Sequence, residues 1–251
     1  MNLSEPSIQS LYIESRFNGQ KIATATGFIT FSNNKKPFLI TNWHNVTGKN
    51  SLTGEYLSNT AAIPNEILIK HNKKDQLGEW IDKIEPILID DEKPLWYEHP
   101  TLGNKVDIIA LPLTELEDVD LYDYILENVD EEDKINISPS EIVSVVGFPF
   151  GKSVSGFYAI WATGFIATEP DLDYENLPIF LIDCRSRKGQ SGSPVIVHRN
   201  GNVIMADNSV SMYNSSITQF LGVYSGRINK ESDLGMVWKT SCIKELIDSI
   251  N

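Results

Sequence analysis

The chain has 251 residues, 41% of them hydrophobic, and a formal net charge of −13 at pH 7 with a pI near 4.7. The hydrophobic fraction excludes a globally disordered protein, and the negative charge disfavours sequence-independent binding to nucleic acid, which depends on clustered lysine and arginine. No apolar run reaches the ~18 residues of a membrane span. We therefore expect neither a nucleic-acid nor a membrane partner. By its length, the chain is expected to form one domain over residues 1–251.

The amino-terminal residues lack the basic region and the apolar core that define a signal peptide. Cys184 and Cys242 are the only cysteines, whereas a secreted disulfide scaffold normally carries more. We interpret them as two buried free thiols, with a single disulfide between them as the alternative. Both features predict a cytoplasmic protein.

In chain order, residues 7–13 are consistent with either a short helix or an edge strand, and short apolar runs then alternate with Gly, Asn and Pro. Runs rich in Ile, Val, Phe and Tyr that are divided in this way predict an all-β barrel or sandwich rather than βαβ units. Hairpin turns are predicted at 33–36 and 199–202. The predicted strands are 23–31, 37–42, 66–71, 84–89, 108–111, 142–148, 157–167, 179–183, 194–198, 217–224 and 236–238.

Two later segments break this β pattern. Residues 116–134 are strongly acidic and lack a period of two. We interpret them as a solvated connector with a helical turn, the alternative being a surface that docks a regulatory partner. Residues 241–250 place Ile and Leu at helical spacing, which predicts an amphipathic helix packed on the second half of the chain.

The most informative motif is residues 189–195, Gly-Gln-Ser-Gly-Ser-Pro-Val. Glycines on both sides of Ser191 leave its hydroxyl exposed and allow backbone N–H groups to converge beside it, as an attacking serine with an oxyanion hole requires. A plain Gly/Ser turn is the alternative interpretation. Two candidate partners lie upstream at strand edges: His44 follows the apolar run 38–43, and Asp107 opens the run 108–111.

These three residue types together can activate a hydroxyl. A neutral imidazole is the side chain whose pKa suits proton abstraction near neutral pH, and a carboxylate can orient it. Taken singly, each residue type favours a structural interpretation: a hydrogen-bonded structural histidine for His44 and a turn or cap residue for Asp107. Their order and their matching positions beside buried strands favour a catalytic triad.

The same motifs resemble those of a trypsin-fold (chymotrypsin-like) serine endopeptidase of the bacterial, disulfide-free type, and the serine motif is most similar to that of glutamyl endopeptidases. The resemblance covers roughly residues 22–240 and implies two six-stranded antiparallel β-barrels with a C-terminal helix at 241–250. The barrels are expected at about 20–115 and about 140–240, on either side of the acidic connector 116–134. The matching stretches are 26–29, 39–46, 99–111, 189–195 and 221–226.

The resemblance also implies a role for each site residue. The implied roles are general base for His44, orienting carboxylate for Asp107, nucleophile for Ser191, oxyanion-hole donors for the N–H groups of Gly189 and Ser191, and support of the aspartate for Ser225. The other histidines, His71, His99 and His198, are scattered without metal-ligand spacing. We therefore expect no metal and no cofactor.

The substrate-binding residues implied by the resemblance are Arg185, Ser186, Tyr224, Gly226 and Arg227. Arg185 and Ser186 are expected at the floor of the pocket before the scissile bond, where Arg185 either selects an acidic residue or points to solvent. Tyr224 stands where glutamyl endopeptidases use a histidine. Arg227 follows Gly226 at a position where relatives usually keep glycine, and it is expected to narrow the cleft.

Gln190 departs from the pattern of secreted trypsin relatives, in which an aspartate pairs with a newly cut amino terminus. The Ile-Val-Gly-Gly start of such enzymes is also absent from the sequence. The resulting hypothesis is a serine endopeptidase that cuts protein or peptide substrates. Its activity is expected to be constitutive or gated by a partner, a substrate or assembly, in a regulated intracellular role such as stress response or antiphage defence. An inactive homologue that binds a protein partner is the main alternative, and an esterase is a further one.

Overall fold

The structure, a computed structural model, describes residues 3–57, 62–90, 93–126, 134–229 and 231–250. The elements of the amino-terminal half are α1 (Pro6–Gln9), β1 (Ser10–Phe17), β2 (Gln20–Phe31), β3 (Pro37–Thr41), α2 (Trp43–Thr47), β4 (Glu66–Lys73), β5 (Trp80–Pro86), β6 (Leu88–Ile89), β7 (Lys93–Pro94), β8 (Tyr97–Glu98), β9 (Ile109–Pro112) and β10 (Val119–Asp120). Those of the carboxy-terminal half are β11 (Ile142–Gly147), a 3-10 turn (Pro149–Gly151), β12 (Ile160–Ile166), β13 (Ile179–Asp183), β14 (Pro194–Ile204), β15 (Val210–Arg227), β16 (Leu234–Lys239) and α3 (Thr240–Asp248).

Antiparallel pairing joins these strands into two main units. Eight strands of the amino-terminal half form one sheet in the order β10-β4-β1-β2-β3-β9-β8, with β5 paired to β4. The six strands of the carboxy-terminal half close into a barrel in the order β11-β12-β13-β16-β15-β14. The all-β class and the closed six-stranded barrel are thus confirmed. The amino-terminal unit differs from the six strands predicted because the two-residue strands β8 and β10 extend its sheet at both ends.

Three apolar clusters show why the most apolar runs of the sequence form central strands. One cluster fills the amino-terminal sheet, one fills the closed barrel, and one lies between the two units. Because alternate side chains of a strand point to opposite faces, β3 sends Leu39 into the first cluster and Ile40 into the one between the units, and β9 divides Ile109 and Ala110 in the same way. Full burial of each large aliphatic side chain contributes ~1.5–3 kcal/mol, so the ends of β3 and β9 are held firmly.

The amino-terminal segment 7–13 contains the end of a short helix followed by the start of a strand. Helix α1 begins at Pro6, which suits a first helical turn because proline lacks an N–H that would otherwise be unpaired there. Strand β1 follows at Ser10 and pairs with β2 on one side and β4 on the other. The expectation of an edge strand is therefore wrong, since β1 is an interior strand.

The predicted hairpin turns have opposite outcomes. Residues 33–36 connect β2 to β3, as predicted, with Lys35 in the left-handed region at φ 57°. Residues 199–202 do not form a turn, because β14 runs through them to Ile204 and pairs with β15 on both sides of a register shift. Gly201, at φ 75°, accommodates this β-bulge, and the true turn lies at 205–209.

The acidic segment 116–134 is partly built into the amino-terminal sheet. Val119 and Asp120 form β10 and pair with β4. Tyr124 is buried, and its N–H donates to the carbonyl of Ile29 at 2.9 Å. The described part of this segment contains no helix, although the N–H of Val119 closes a single turn by donating to the carbonyl of Leu116 at 3.2 Å. Residues 127–133 lie outside the described residues. The segment therefore serves as sheet edge and core as well as connector.

The C-terminal helix is confirmed as α3. It buries Cys242, Ile243, Leu246 and Ile247, and His99 Nε2 lies 3.2 Å from Glu245 Oε2, which links the helix to the amino-terminal half. Both cysteines are free, and burial raises the pKa of the Cys184 and Cys242 thiols to about 11 and about 12. None of the helices in the described ranges has the length and apolarity that crossing a bilayer requires.

His71 on β4 is expected to make the stability of the protein depend on pH. Its side chain is 0% exposed, neither ring nitrogen has a hydrogen-bond partner in the described part of the chain, and burial lowers the pKa of the imidazole to about 4. The unfolded chain takes up a proton at this imidazole near pH 6.5, whereas the folded chain does so only near pH 4. The stability that comes from keeping the ring neutral is therefore fully present above pH 6.5. As pH falls from 6.5 to 4, the free energy of unfolding should decrease by roughly 3 kcal/mol from this group.

The substitution His71→Met replaces the titrating ring by an apolar side chain of similar size. Urea unfolding at pH 7 and pH 4.5 should show a smaller loss of stability in the variant than in the parent. Carboxylates titrate in both proteins, so the difference between the two losses isolates His71. Equal losses in the two proteins would contradict the prediction.

Candidate active site

His44 lies at the start of α2, directly after the buried strand β3. Gly48 ends this short helix in the left-handed region at φ 67° and donates its N–H to the carbonyl of His44 at 3.0 Å. Asn42, which precedes the helix, donates from Nδ2 to the carbonyl of Asp107 at 2.7 Å. The side chain of the residue that precedes this helix is therefore bonded to the backbone of the carboxylate residue.

Asp107 is 3% exposed and its carboxylate receives three hydrogen bonds. The N–H of His44 donates to Oδ1 at 3.0 Å, whereas His44 Nδ1 lies 2.7 Å and Ser225 Oγ 2.6 Å from Oδ2. A carboxylate at Nδ1 keeps the proton on that nitrogen, which leaves Nε2 as the basic atom of the ring. The arrangement orients an imidazole for proton abstraction at Nε2.

Ser191 lies in the turn between β13 and β14. Its backbone carbonyl accepts the N–H of Thr26 at 2.9 Å, and its Oγ donates to the carbonyl of Ser225 at 3.5 Å. Within the described residues, Ser191 Oγ forms no hydrogen bond to His44. Ser225 touches Ser191 through its carbonyl and Asp107 through its hydroxyl, so the structure brings His44, Asp107 and Ser191 around one shared residue.

The turn that carries Ser191 requires its glycines. Gly189 and Gly192 lie in the left-handed region at φ 94° and φ 84°. A Cβ would lie 2.4 Å from the carbonyl oxygen of Phe148 at Gly189, and 2.1 Å from that of Thr26 at Gly192. Both clashes involve backbone atoms, so the turn could not relax by moving a side chain.

Two N–H groups in this turn have no hydrogen-bond acceptor among the described residues. The N–H of Gly192 donates to the carbonyl of Tyr224 at 2.9 Å, and that of Ser193 donates to Gln190 at 3.0 Å. In the described part of the chain, the N–H groups of Gly189 and Ser191 donate to no acceptor. They are the two groups that an oxyanion hole beside Ser191 needs.

The predicted pocket residues fall into two environments. Ser186 and Tyr224 are buried and their hydroxyls are hydrogen-bonded to each other; burial raises the pKa of Tyr224 to about 12. The side chain of Arg185 is 84% exposed, with Nε 3.8 Å from Asp233. Arg227 is exposed at the end of β15. The structure thus places Ser186 and Tyr224 together and leaves Arg185 at the surface.

No protein-family model matches the chain, and no curated protein matches it in sequence. Solved structures do match over nearly its whole length. Rv3671c from M. tuberculosis, in an inactive form, is 18% identical with a TM-score of 0.50, covering 98% of this chain and 87% of its own. A serine endoprotease from Yersinia pestis is 12% identical with a TM-score of 0.53, covering 99% and 67%. The thermostable serine protease AL20 from an extremophilic microorganism is 11% identical with a TM-score of 0.54, covering 99% and 100%.

This is the fold of the trypsin-like serine proteases. At identities of 11–18% the likeness establishes the fold and not the activity. In a trypsin-like fold the candidate residues lie where the two β units meet, since Ser225 and Ser191 come from the closed barrel and His44 and Asp107 from the other sheet.

Thr26 is a site residue of this trypsin-like fold that sequence reasoning missed. Its Oγ1 donates to the carbonyl of Gly189 at 2.8 Å and accepts the N–H of Phe148 at 3.1 Å. One threonine of β2 thereby fixes the serine turn of the other unit. Its place in the stretch 26–29 was a signal for the fold, but nothing in that stretch indicates a hydrogen bond to a residue 163 positions away.

Proposed function

We propose that the chain is a serine endopeptidase that hydrolyses peptide bonds in protein substrates. The observation that carries this proposal is the hydrogen bonding of the Asp107 carboxylate, which accepts from both His44 Nδ1 and Ser225 Oγ. The carbonyl of Ser225 in turn accepts from Ser191 Oγ. This arrangement unites a base, its orienting group and a nucleophile within one set of hydrogen bonds. The two unengaged N–H groups beside Ser191 supply the site for negative charge.

In the proposed mechanism, Ser191 Oγ turns from the carbonyl of Ser225 toward His44 when substrate binds. His44 Nε2 takes the hydroxyl proton as Oγ attacks the scissile carbonyl carbon. The oxyanion that forms accepts hydrogen bonds from the N–H groups of Gly189 and Ser191. His44 then protonates the leaving amine, which gives an acyl-enzyme. Water, deprotonated by the same imidazole, hydrolyses the acyl-enzyme and frees Ser191.

We further propose that the serine turn needs no cleaved amino terminus to adopt this shape. Gln190 is 0% exposed, and its Oε1 accepts the N–H of Arg187 at 2.7 Å while the carbonyl of Arg187 accepts the N–H of Gln190 at 3.2 Å. The turn is thereby closed by its own residues. A turn of this kind supports activity that is constitutive or gated by a partner, a substrate or assembly, and by analogy we propose a cytoplasmic stress or antiphage role.

A fluorophosphonate probe tests the nucleophile directly, because it phosphonylates an activated serine. The parent protein should be labelled and should cleave unfolded protein, whereas Ser191→Ala should lose both properties. Ser193→Ala is a matched control in the same turn, since Ser193 Oγ is buried without a hydrogen-bond partner in the described residues. That control should keep its labelling. Undiminished labelling of Ser191→Ala would remove this residue from the mechanism.

A non-enzymatic binding module on the same fold is the second candidate. The observation that favours it is the 3.5 Å contact of Ser191 Oγ with the carbonyl of Ser225 in place of a bond to the imidazole. Hydrogen bonds of catalytic residues are often long in the absence of substrate, so we prefer the enzyme. A correctly folded parent protein that takes up no fluorophosphonate and cleaves no peptide would establish the binding module instead.

A further inference from the structure

A long uncharged β-hairpin continues beyond the strand pairings that close the carboxy-terminal barrel. Residues 199–217, which we call the arm, comprise the end of β14, the turn 205–209 and the start of β15. Residues 200–226 contain one charged side chain, that of Asp207, whereas 22% of the whole chain is charged. The buried centres of protein interfaces are depleted of charge in the same way. The arm is therefore a neutral surface on a chain of net charge −13.

The two edges of the arm differ in their backbone hydrogen bonds. On the β14 side, the N–H of Asn136 donates to the carbonyl of Ile204 at 2.9 Å. On the β15 side, pairing with β16 is confined to 222–227, and within the described ranges no backbone hydrogen bond reaches the outer edge at 210–217. That edge contains neither a charged residue nor a proline, the features with which proteins usually prevent open edges from pairing. The outer edge of β15 is thus open and unprotected.

The direction of the backbone groups on this edge follows from the pairing of the arm. The carbonyl of Ile204 points away from β15, because it accepts the N–H of Asn136. In an antiparallel pair, two directly opposed residues either both turn their N–H and C=O groups inward or both turn them outward. Val210 is directly opposite Ile204, and Met212 lies two residues further along β15. The N–H and C=O groups of Val210 and Met212 therefore point to the open edge.

The side chains beside these backbone groups are apolar and exposed. Ile204, Val210 and Met212 are 58%, 67% and 76% exposed, and the pairing of β14 with β15 places all three on one face of the arm. The opposite face is packed into the barrel core through Val203 and Met205. The arm consequently has one face that is stabilised by the core and one apolar face that has no partner among the described residues.

We infer that two copies of the chain form a dimer by antiparallel pairing of their β15 edges about a twofold axis at Ser211. In this register, Val210 of each copy lies opposite Met212 of the other, so that open donors meet open acceptors and apolar side chains pair across the strands. A second copy fits this edge because a neutral strip offers no opposite charge to a basic or acidic partner. The net negative charge keeps two copies apart over the rest of their surfaces. Twofold pairing also uses up the open edge, so that no third copy adds.

Sedimentation equilibrium tests this inference by measuring the mass of the protein in solution. At about 10 μM, the parent protein and Ser191→Ala should both have twice the 28.2 kDa mass of one chain. Val210→Lys and Met212→Lys should each raise the dissociation constant at least about tenfold, because each places two cations in the apolar pairs. Both side chains are exposed in the single chain, so folding should be unaffected, which circular dichroism checks.

Leu172→Lys is the matched control for the added charge. Leu172 is 67% exposed, the same fraction as Val210, and it lies between β12 and β13, away from the arm. Its dissociation constant should stay within about twofold of that of the parent protein. Equal weakening by this control would mean that charge alone disrupts association and would overturn the assignment to the arm.

Other outcomes separate the second copy from other occupants of the edge. A parent protein that remains a monomer at about 100 μM, or a dimer that both edge variants leave intact, would overturn the inference. Open-ended aggregates, or a monomer that binds an unrelated extended peptide at this edge, would also exclude the twofold dimer. The inference does not depend on peptidase activity, since Ser191→Ala should form the same dimer, and its failure would leave the proposed function to the fluorophosphonate test.

Discussion

Replacing Asp107 by asparagine should lower kcat for peptide cleavage by about 10⁴-fold without unfolding the protein. The carboxylate accepts hydrogen bonds from His44 Nδ1, from the His44 N–H and from Ser225 Oγ. An asparagine has one acceptor oxygen and one donor amide group at these positions. If the amide faces Nδ1, the imidazole must carry its proton on Nε2, and it can no longer accept the proton of Ser191.

The measurement is steady-state kinetics at pH 7 on one peptide, with the thermal unfolding midpoint as the check on folding. Asp248→Asn is the control, because Asp248 is an exposed carboxylate at the end of α3 that pairs with Lys244 and not with a residue of the candidate triad. It should keep the parent kcat within about twofold. A decrease of less than tenfold in a folded Asp107→Asn variant would mean that this carboxylate does not orient the base.

The sequence was most informative where both faces of a strand are buried. β3 and β9 read as continuous apolar runs because Leu39 and Ile40, like Ile109 and Ala110, enter different clusters. The residues that end such runs are fixed in space by packing. The sequence could therefore indicate His44 after β3 and Asp107 before β9 as candidate site residues. It could not give the distance between their side chains.

Local pattern was less informative where a residue's environment depends on distant parts of the chain. Arg185 and Arg187 are two positions apart in one loop, yet one pairs with Asp233 and the other reaches the carbonyl of Ser186. The contact that each arginine makes depends on the closure of the loop through Gln190, whose Oε1 accepts the N–H of Arg187 at 2.7 Å. Similarly, the turn predicted at 199–202 became a bulge because its partner strand β15 extends to Val210.

The acidic connector shows the same limitation. Its charge suggests a solvated segment, yet among its described residues only Glu117, Asp118 and Ile125 are exposed, and Val119 and Tyr124 are buried. Val119 completes pairing with β4, and the ring of Tyr124 packs at 5.3 Å from that of Phe28. Such pairing reflects an edge left open elsewhere in the sheet, which no window of neighbouring residues reveals.

Gly189→Ala should lower kcat by about 10²–10³-fold, the usual effect of losing one oxyanion donor. The added Cβ would lie 2.4 Å from the carbonyl oxygen of Phe148 and 3.0 Å from the backbone nitrogen of Gly151. Because neither backbone atom can rotate away, the turn itself has to move, and the N–H of Gly189 moves with it. The affinity for a peptide boronic acid, whose adduct mimics the tetrahedral intermediate, should fall in parallel, while KM changes little.

Gly201→Ala is the matched control, because Gly201 also has a positive φ, 75°, but an added Cβ meets no atom within 4 Å. Both variants carry the backbone strain of a side chain in the left-handed region, about 1–2 kcal/mol, so both should lose similar stability from that cause. Only Gly189→Ala adds a steric clash at the proposed donor. If both variants lost kcat equally, the loss would reflect general strain and not the position of an N–H group. If Gly189→Ala lost stability but kept its kcat and its boronate affinity, the oxyanion would have to be bound elsewhere.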